Sequence, residues 1–126
     1  MAAGRAELAA QLRRWMAGEL GAPALQAFAE AARRAQRGPA ALPQAPGAER
    51  PVDDPAAEAL AEALADLDLL AVHLLCPEDA PALLALCEAA DPPAALERWR
   101  RHRQAIDLDA RSRRLRGDPF YRPFCR

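Results

Sequence analysis

The chain has few of the side chains from which catalytic sites are built. Its 126 residues include no lysine, asparagine or threonine, and only one serine, one tyrosine and two histidines. Ser112 lies in the run Arg-Ser-Arg-Arg, without the flanking glycines that expose a serine nucleophile on a sharp turn. The six glycines lie at expected helix ends or in one linker, so they form no glycine-rich phosphate loop. We therefore predict a protein that is not an enzyme and that holds no cofactor.

Metal-ligand spacing is missing as well. Structural zinc sites present Cys or His in pairs a few residues apart, and this sequence has no such pair. A site of mixed ligands would have to combine His73 with Glu62, Asp66, Cys76 and Cys87. A metal-dependent enzyme built on such a site is the third hypothesis. We interpret His73 as partly exposed on an acidic face, and Cys76 and Cys87 as small core groups. Because three thiols form no even disulfide framework, we expect reduced thiols in a cytoplasm.

Long apolar runs are also missing. The most apolar uncharged stretch, residues 69–77, is far shorter than the ~20 residues of a membrane-spanning helix. Residues 1–20 carry both acids and arginines among their apolar positions, unlike a signal peptide. The sequence therefore predicts no membrane association and a cytoplasmic protein.

What the sequence does contain is mainly alanine, leucine and arginine. There are 33 alanines and 18 leucines but one isoleucine and two valines, a bias that favours helix over sheet. Because alanine buries little area, the core should be a thin leucine layer between closely packed helices. All 17 basic residues are arginine, which together with the missing residue types is typical of a GC-rich bacterial genome.

The pattern predicts an all-α protein, a single compact bundle of five or six short helices with a proline-rich loop between the second and third. The single domain, residues 1–126, is divided into a helical hairpin over 5–37, a Pro/Gly-rich linker over 38–55, a helical core over 56–116 and an aromatic tail over 117–126. The third helix is expected to run to about Cys76, before Pro77. Gly117 is expected to end the last helix in a left-handed conformation.

Charge is divided unevenly along the chain. Residues 51–97 contain 11 acids and no arginine, whereas residues 98–126 contain ten arginines and three acids. Because basic runs are usually solvated or paired internally, we interpret most of these arginines as complementing the acidic segment within the fold. Arg103 shares an apolar stripe with Trp99 and is expected to extend to solvent or to pair with an acid such as Asp66.

An acidic helix face is the predicted partner-binding surface. Glu58, Glu62 and Asp66 recur every four residues and lie on one face of the third helix, with His73 at nearly the same angle. A face of this charge fits a basic partner protein. The predicted function is a non-enzymatic bacterial protein-interaction module, such as an adaptor, a small subunit or an immunity-type inhibitor, with its oligomeric state left open.

The arginine-rich segment supports an alternative function, nucleic-acid binding, because arginines on successive helical turns can track a phosphate backbone. The predicted basic surface, within Arg98–Arg116, consists of Arg98, Arg100, Arg101, Arg111, Arg113 and Arg114. The formal net charge of −1 and the lack of a known DNA-reading pattern favour the first hypothesis.

Half of the six aromatic residues lie in the tail. Phe120, Tyr121 and Phe124 are interspersed with arginine and proline, which gives an extended segment suited to a groove in the same chain or in another. Docking onto its own domain is the favoured interpretation, since three rings would add buried area to a thin core.

Overall fold

Six α-helices make up most of the described part of the protein. A computed structural model describes residues 4–37 and 55–125, and in these ranges it contains no strand. The helices are α1 (Arg5–Met16), α2 (Ala22–Arg37), α3 (Pro55–Asp68), α4 (Ala80–Glu88), α5 (Pro92–Gln104) and α6 (Leu108–Leu115), with 3-10 turns at Pro77–Asp79 and Arg122–Phe124. The predicted all-α bundle is confirmed. The predicted linker lies outside the described residues except for Pro55, which begins α3.

Helix starts follow local sequence signals. The carboxylate of Asp91 accepts a hydrogen bond from the N–H of Ala94 at 3.2 Å, and Asp107 does the same for Ala110 at 3.0 Å. Each carboxylate satisfies a backbone donor that has no partner within its helix. Pro92 supplies a fixed backbone angle at the first position of α5. The first turns of α5 and α6 therefore fix where these two helices begin.

The short helix α4 is the one on which α1, α3 and α5 pack. Its nine residues are apolar except for Glu88. Leu83 and Leu86 are fully buried. A helix with apolar groups around most of its circumference is stable only when other helices surround it.

The two helices of the predicted hairpin are less closely associated with each other than expected. α1 and α2 are in contact, but α1 packs mainly on α4 and α2 mainly on α3. Leu8 and Trp15 are buried on α1, and Leu25 and Ala29 on α2. Residues 5–37 are thus part of the common core.

The third helix ends earlier than the sequence predicts. α3 stops at Asp68 instead of continuing to Cys76, and residues 69–74 form tighter turns. Leu74 has a left-handed backbone, with φ at 54°. The N–H groups of Leu74 and Leu75 donate to carbonyls three and five residues earlier, a bond pair that closes a helix end around a left-handed residue. The apolar pattern continues across the break and therefore gives no sign of it.

Side chains from distant parts of the chain stabilise this irregular segment, whose buried backbone groups need partners. The pairs are Gln26 Oε1 with the N–H of Ala71 at 2.9 Å, Arg111 Nη1 with the carbonyl of Leu74 at 3.0 Å, and the Tyr121 hydroxyl with the carbonyl of Leu75 at 2.6 Å. α2, α6 and the tail therefore all contribute to the segment between α3 and α4.

The aromatic tail lies against its own domain. Tyr121 is buried, and Phe120 packs partly buried against the core with its ring edge-on to Tyr121, 5.1 Å between centroids. Phe124 remains 43% exposed. The expectation for Gly117 is wrong, since α6 ends through a right-handed Arg116 and Gly117 has no positive φ. No helix in the described ranges is long and apolar enough to cross a membrane.

Tyr121→Phe should lower the free energy of unfolding by about 1–3 kcal/mol, because the buried carbonyl of Leu75 loses its donor. Phe124→Ala is the control, since an exposed ring loses little on truncation. Urea unfolding followed by circular dichroism measures both. Equal stability of Tyr121→Phe and the wild type would show that the tail does not stabilise the fold through this bond.

Candidate functional site

A fully buried carboxylate lies at the centre of the first polar cluster. Asp79 Oδ2 accepts hydrogen bonds from Arg111 Nη1 at 2.6 Å and from the N–H of Cys76 at 2.8 Å. Its Oδ1 accepts from Arg111 Nη2 at 2.9 Å and lies 2.7 Å from His102 Nε2. Burial raises the pKa of Asp79, but the hydrogen bonds from Arg111, Cys76 and His102 outweigh it and leave the pKa lowered. Asp79 is therefore ionised, and His102 Nε2 carries the proton of their shared bond.

Arg111 connects α6 to the rest of the protein. Its guanidinium is largely buried and binds Asp79 through two parallel bonds, while Nη1 also donates to the backbone of Leu74. The hydrogen bonds to Asp79 raise the pKa of Arg111. Among the residues of α6 only Ser112 is buried. Ionic contacts therefore do much to hold α6 against the protein, whereas apolar packing holds the other helices.

A second buried carboxylate organises the contact between α3 and α5. Asp66 accepts hydrogen bonds from the indole Nε1 of Trp99 at 2.7 Å and from Arg103 Nη1 at 2.6 Å. The expected pairing of Arg103 with Asp66 is confirmed. A buried charge of this kind is tolerated because its lone pairs are occupied by donors.

The four predicted partner-binding residues do not form an open acidic face. Glu58 is exposed, Glu62 binds Arg100 in bidentate fashion at 2.7 and 2.9 Å, and Asp66 is buried. His73 is half-buried, with Nε2 3.9 Å from Asp66 Oδ1. Burial and then the charge of Arg103 lower the pKa of His73 against the opposing effect of Asp66, so the imidazole is neutral at pH 7. Arginines therefore neutralise Glu62 and Asp66, and Glu58 is the exposed acid of this set.

The residues of the metal hypothesis do not come together. No group of three or more His, Cys, Asp or Glu in the described residues could hold a metal ion. Cys76 and Cys87 are buried, and burial raises the pKa of both thiols, that of Cys87 to about 11. Both therefore remain protonated thiols at neutral pH.

The predicted basic surface is largely paired with acids of the same chain. Its ion pairs join Arg100 to Glu62, Arg101 to Glu97, Arg111 to Asp79 and Arg114 to Glu78. Arg98 and Arg113 are exposed, and neither has an ion pair with any described residue. The neighbouring carboxylates cancel most of the positive charge of this surface, which weighs against the nucleic-acid hypothesis.

Nothing in the sequence indicated an exposed apolar turn. Leu69 and Val72 are each 45% exposed, although both lie in the stretch that the sequence assigns to the third helix. Asp79 and His102 were missed too, because nothing in their spacing, 23 residues apart, distinguishes a buried ionic pair from surface residues.

Comparison with protein-family models, curated proteins and solved structures finds no match. The surface and the polar clusters are therefore the basis for a functional proposal.

Asp79→Asn should lower the free energy of unfolding at pH 7 by about 3–5 kcal/mol, because it leaves the guanidinium of Arg111 buried without its counterion. Glu97→Gln, which removes an exposed pair with Arg101, should cost about 0.5 kcal/mol or less. Chemical denaturation of the three proteins measures the difference.

The cost of Asp79→Asn should also depend on pH. The folded-state pKa of Asp79 lies below its ordinary value of 3.8, so its contribution to stability is complete above that value. As the pH falls through the folded-state pKa the carboxyl protonates, and the difference in the free energy of unfolding between wild type and Asp79→Asn should become smaller. A difference that stays constant down to the acid transition would contradict the ionised state of Asp79.

Random duplex DNA provides a test of the internal pairing. Below physiological ionic strength we expect no salt-dependent binding of the duplex, because the neighbouring carboxylates cancel most of the positive charge of the basic surface. Fluorescence anisotropy with a labelled duplex measures this. Salt-dependent binding that disappears in an Arg98→Gln, Arg113→Gln variant would restore the nucleic-acid hypothesis.

Proposed function

We propose that this protein is a non-enzymatic interaction module, an adaptor, small subunit or inhibitor, which binds another protein through its exposed apolar turn. The observation that carries the proposal is the exposure of Leu69 and Val72, each 45%, in a chain with few large apolar residues. We refer to Leu69, Val72 and His73 as the apolar turn. Single exposed apolar residues are ordinary, but neighbouring ones are a feature of binding surfaces.

The backbone brings these three side chains to the same side. The N–H of His73 donates to the carbonyl of Leu69 at 2.9 Å, so residues 69–73 form one helical turn. Residues three and four positions apart on such a turn are neighbours. Leu69 is thus flanked by both Val72 and the half-buried His73.

Paired charges border the apolar turn. Asp68 precedes it and binds Arg33 at 2.5 Å, and Asp66 beneath His73 binds Arg103 at 2.6 Å. Apolar groups surrounded by polar ones are the usual anatomy of a protein interface. Because Glu62 and Asp66, two of the three carboxylates of the expected acidic face, already bind arginines, the proposal assigns the main binding energy to the apolar side chains.

The three cysteines, all free and none in a disulfide, fit a reducing compartment such as the bacterial cytoplasm. We include this location in the proposal, together with a partner from the same compartment.

Leu69→Gln combined with Val72→Gln should weaken partner binding roughly tenfold or more, because truncation of central apolar contacts typically has effects of this size. Met16→Gln is the matched control, since Met16 on α1 is also 45% exposed. Affinity capture from a native lysate of the source organism, with quantitative mass spectrometry, identifies proteins retained by the wild type and the control. Titration with the purified partner then gives the affinities.

Both variants must have the melting temperature of the wild type, so that weaker binding is not caused by unfolding. Equal capture by all three proteins, or a partner that the Met16 variant also loses, would contradict a binding surface at the apolar turn.

A further inference from the structure

An open cleft of about 400 Å³ lies beside the Asp79 cluster, between the end of α5 and α6. The polar side chains that line it include Glu78, His102, Arg111 and Arg114, and its apolar lining comes from Ala105, Ile106 and Ala110. This volume falls within the range of small-molecule sites, which combine an apolar lining with a few polar groups.

The floor of the cleft is rigidly built. Asp79 holds both His102 and Arg111 by short hydrogen bonds, and the His102 ring stacks on Trp99 with 5.6 Å between centroids and 17° between planes. Side chains fixed in this way lose little freedom when a ligand binds.

Arg114, in contrast, is placed at the open side of the cleft. Its guanidinium is 52% exposed and binds the carboxylate of Glu78, which is equally exposed. Exposed ion pairs contribute little net stability because water competes for both partners. An incoming carboxylate can therefore take the place of Glu78 on Arg114 at small cost.

The other carboxylates near the cleft are already engaged. Asp79 accepts four hydrogen bonds, and Asp107 accepts from the N–H of Ala110 at 3.0 Å at the start of α6. Glu78 is therefore the carboxylate whose removal would free a cation for a ligand.

We propose that this cleft binds a small organic carboxylate, whose anionic end pairs with Arg114 in place of Glu78 and whose apolar part lies against Ile106 and Ala110. The Glu78 side chain in the present structure occupies the position of the ligand's carboxylate. This site is separate from the apolar turn and does not depend on the proposed function.

Benzoate is the probe, with acetate and inorganic phosphate for comparison, and isothermal titration calorimetry and amide NMR shifts as readouts. We expect benzoate to bind in the millimolar range, more tightly than acetate or phosphate, with shifts at Ile106 and Ala110. Acetate or phosphate binding as tightly as benzoate would overturn an organic carboxylate with an apolar part.

Two substitutions should have opposite effects. Glu78→Gln should tighten benzoate binding about fivefold, because it removes the internal competitor, whereas Arg114→Gln should abolish it. Glu97→Gln changes the net charge equally at an exposed pair on α5 and should leave the affinity unchanged. Equal tightening by Glu97→Gln, or benzoate binding to neither wild type nor Glu78→Gln, would overturn the proposal.

The Leu69→Gln, Val72→Gln variant should bind benzoate like the wild type. The cleft and the apolar turn are thus tested independently, and failure of one leaves the other standing.

Discussion

The arrangement of the second half of the chain depends on the ionised carboxylate of Asp79. It lies at the start of α4, binds His102 of α5 and Arg111 of α6, and caps the N–H of Cys76. Arg111 in turn reaches the carbonyl of Leu74 and helps to close the irregular segment after α3. A buried ion pair is a weak source of net stability, because desolvation offsets most of the Coulomb attraction. The pair instead fixes the position of α6, because any other packing of this helix would leave one of the two charges buried alone.

The dependence on polar clusters follows from the composition of the core. Alanines fill many buried positions, including Ala29, Ala59 and Ala63, and they contribute less apolar area than leucine would. Asp66 occupies the α3–α5 contact in a similar way, with Trp99 and Arg103 as donors. The unequal charge of the two segments, acids in 51–97 and arginines in 98–126, is thus largely satisfied within the fold.

Periodicity predicted the elements that depend on local signals and missed those that depend on distant partners. The helical class, the buried Leu96 and Trp99 of α5 and the Arg103–Asp66 pair follow from spacing and from the cost of burying a lone charge. The end of α3 at Asp68 could not be predicted in this way, because the side chains that stabilise the segment after it come from 45 positions earlier and from 37 and 46 positions later. The burial of Asp79 had no local signal either, since an acid before a helix is ordinarily an exposed cap.

The irregular segment after α3 combines a strained backbone with exposed apolar side chains. A left-handed leucine costs about 1–2 kcal/mol relative to a right-handed one, and an uninterrupted helix would avoid that cost. Three long-range hydrogen bonds nevertheless hold the segment in place, and the turn that it forms leaves Leu69 and Val72 in solvent. Backbone strain that the surrounding structure maintains is found preferentially at functional sites. Strain at Leu74 and the exposure of Leu69 and Val72 therefore support the proposed binding role of the apolar turn more strongly together than either would alone.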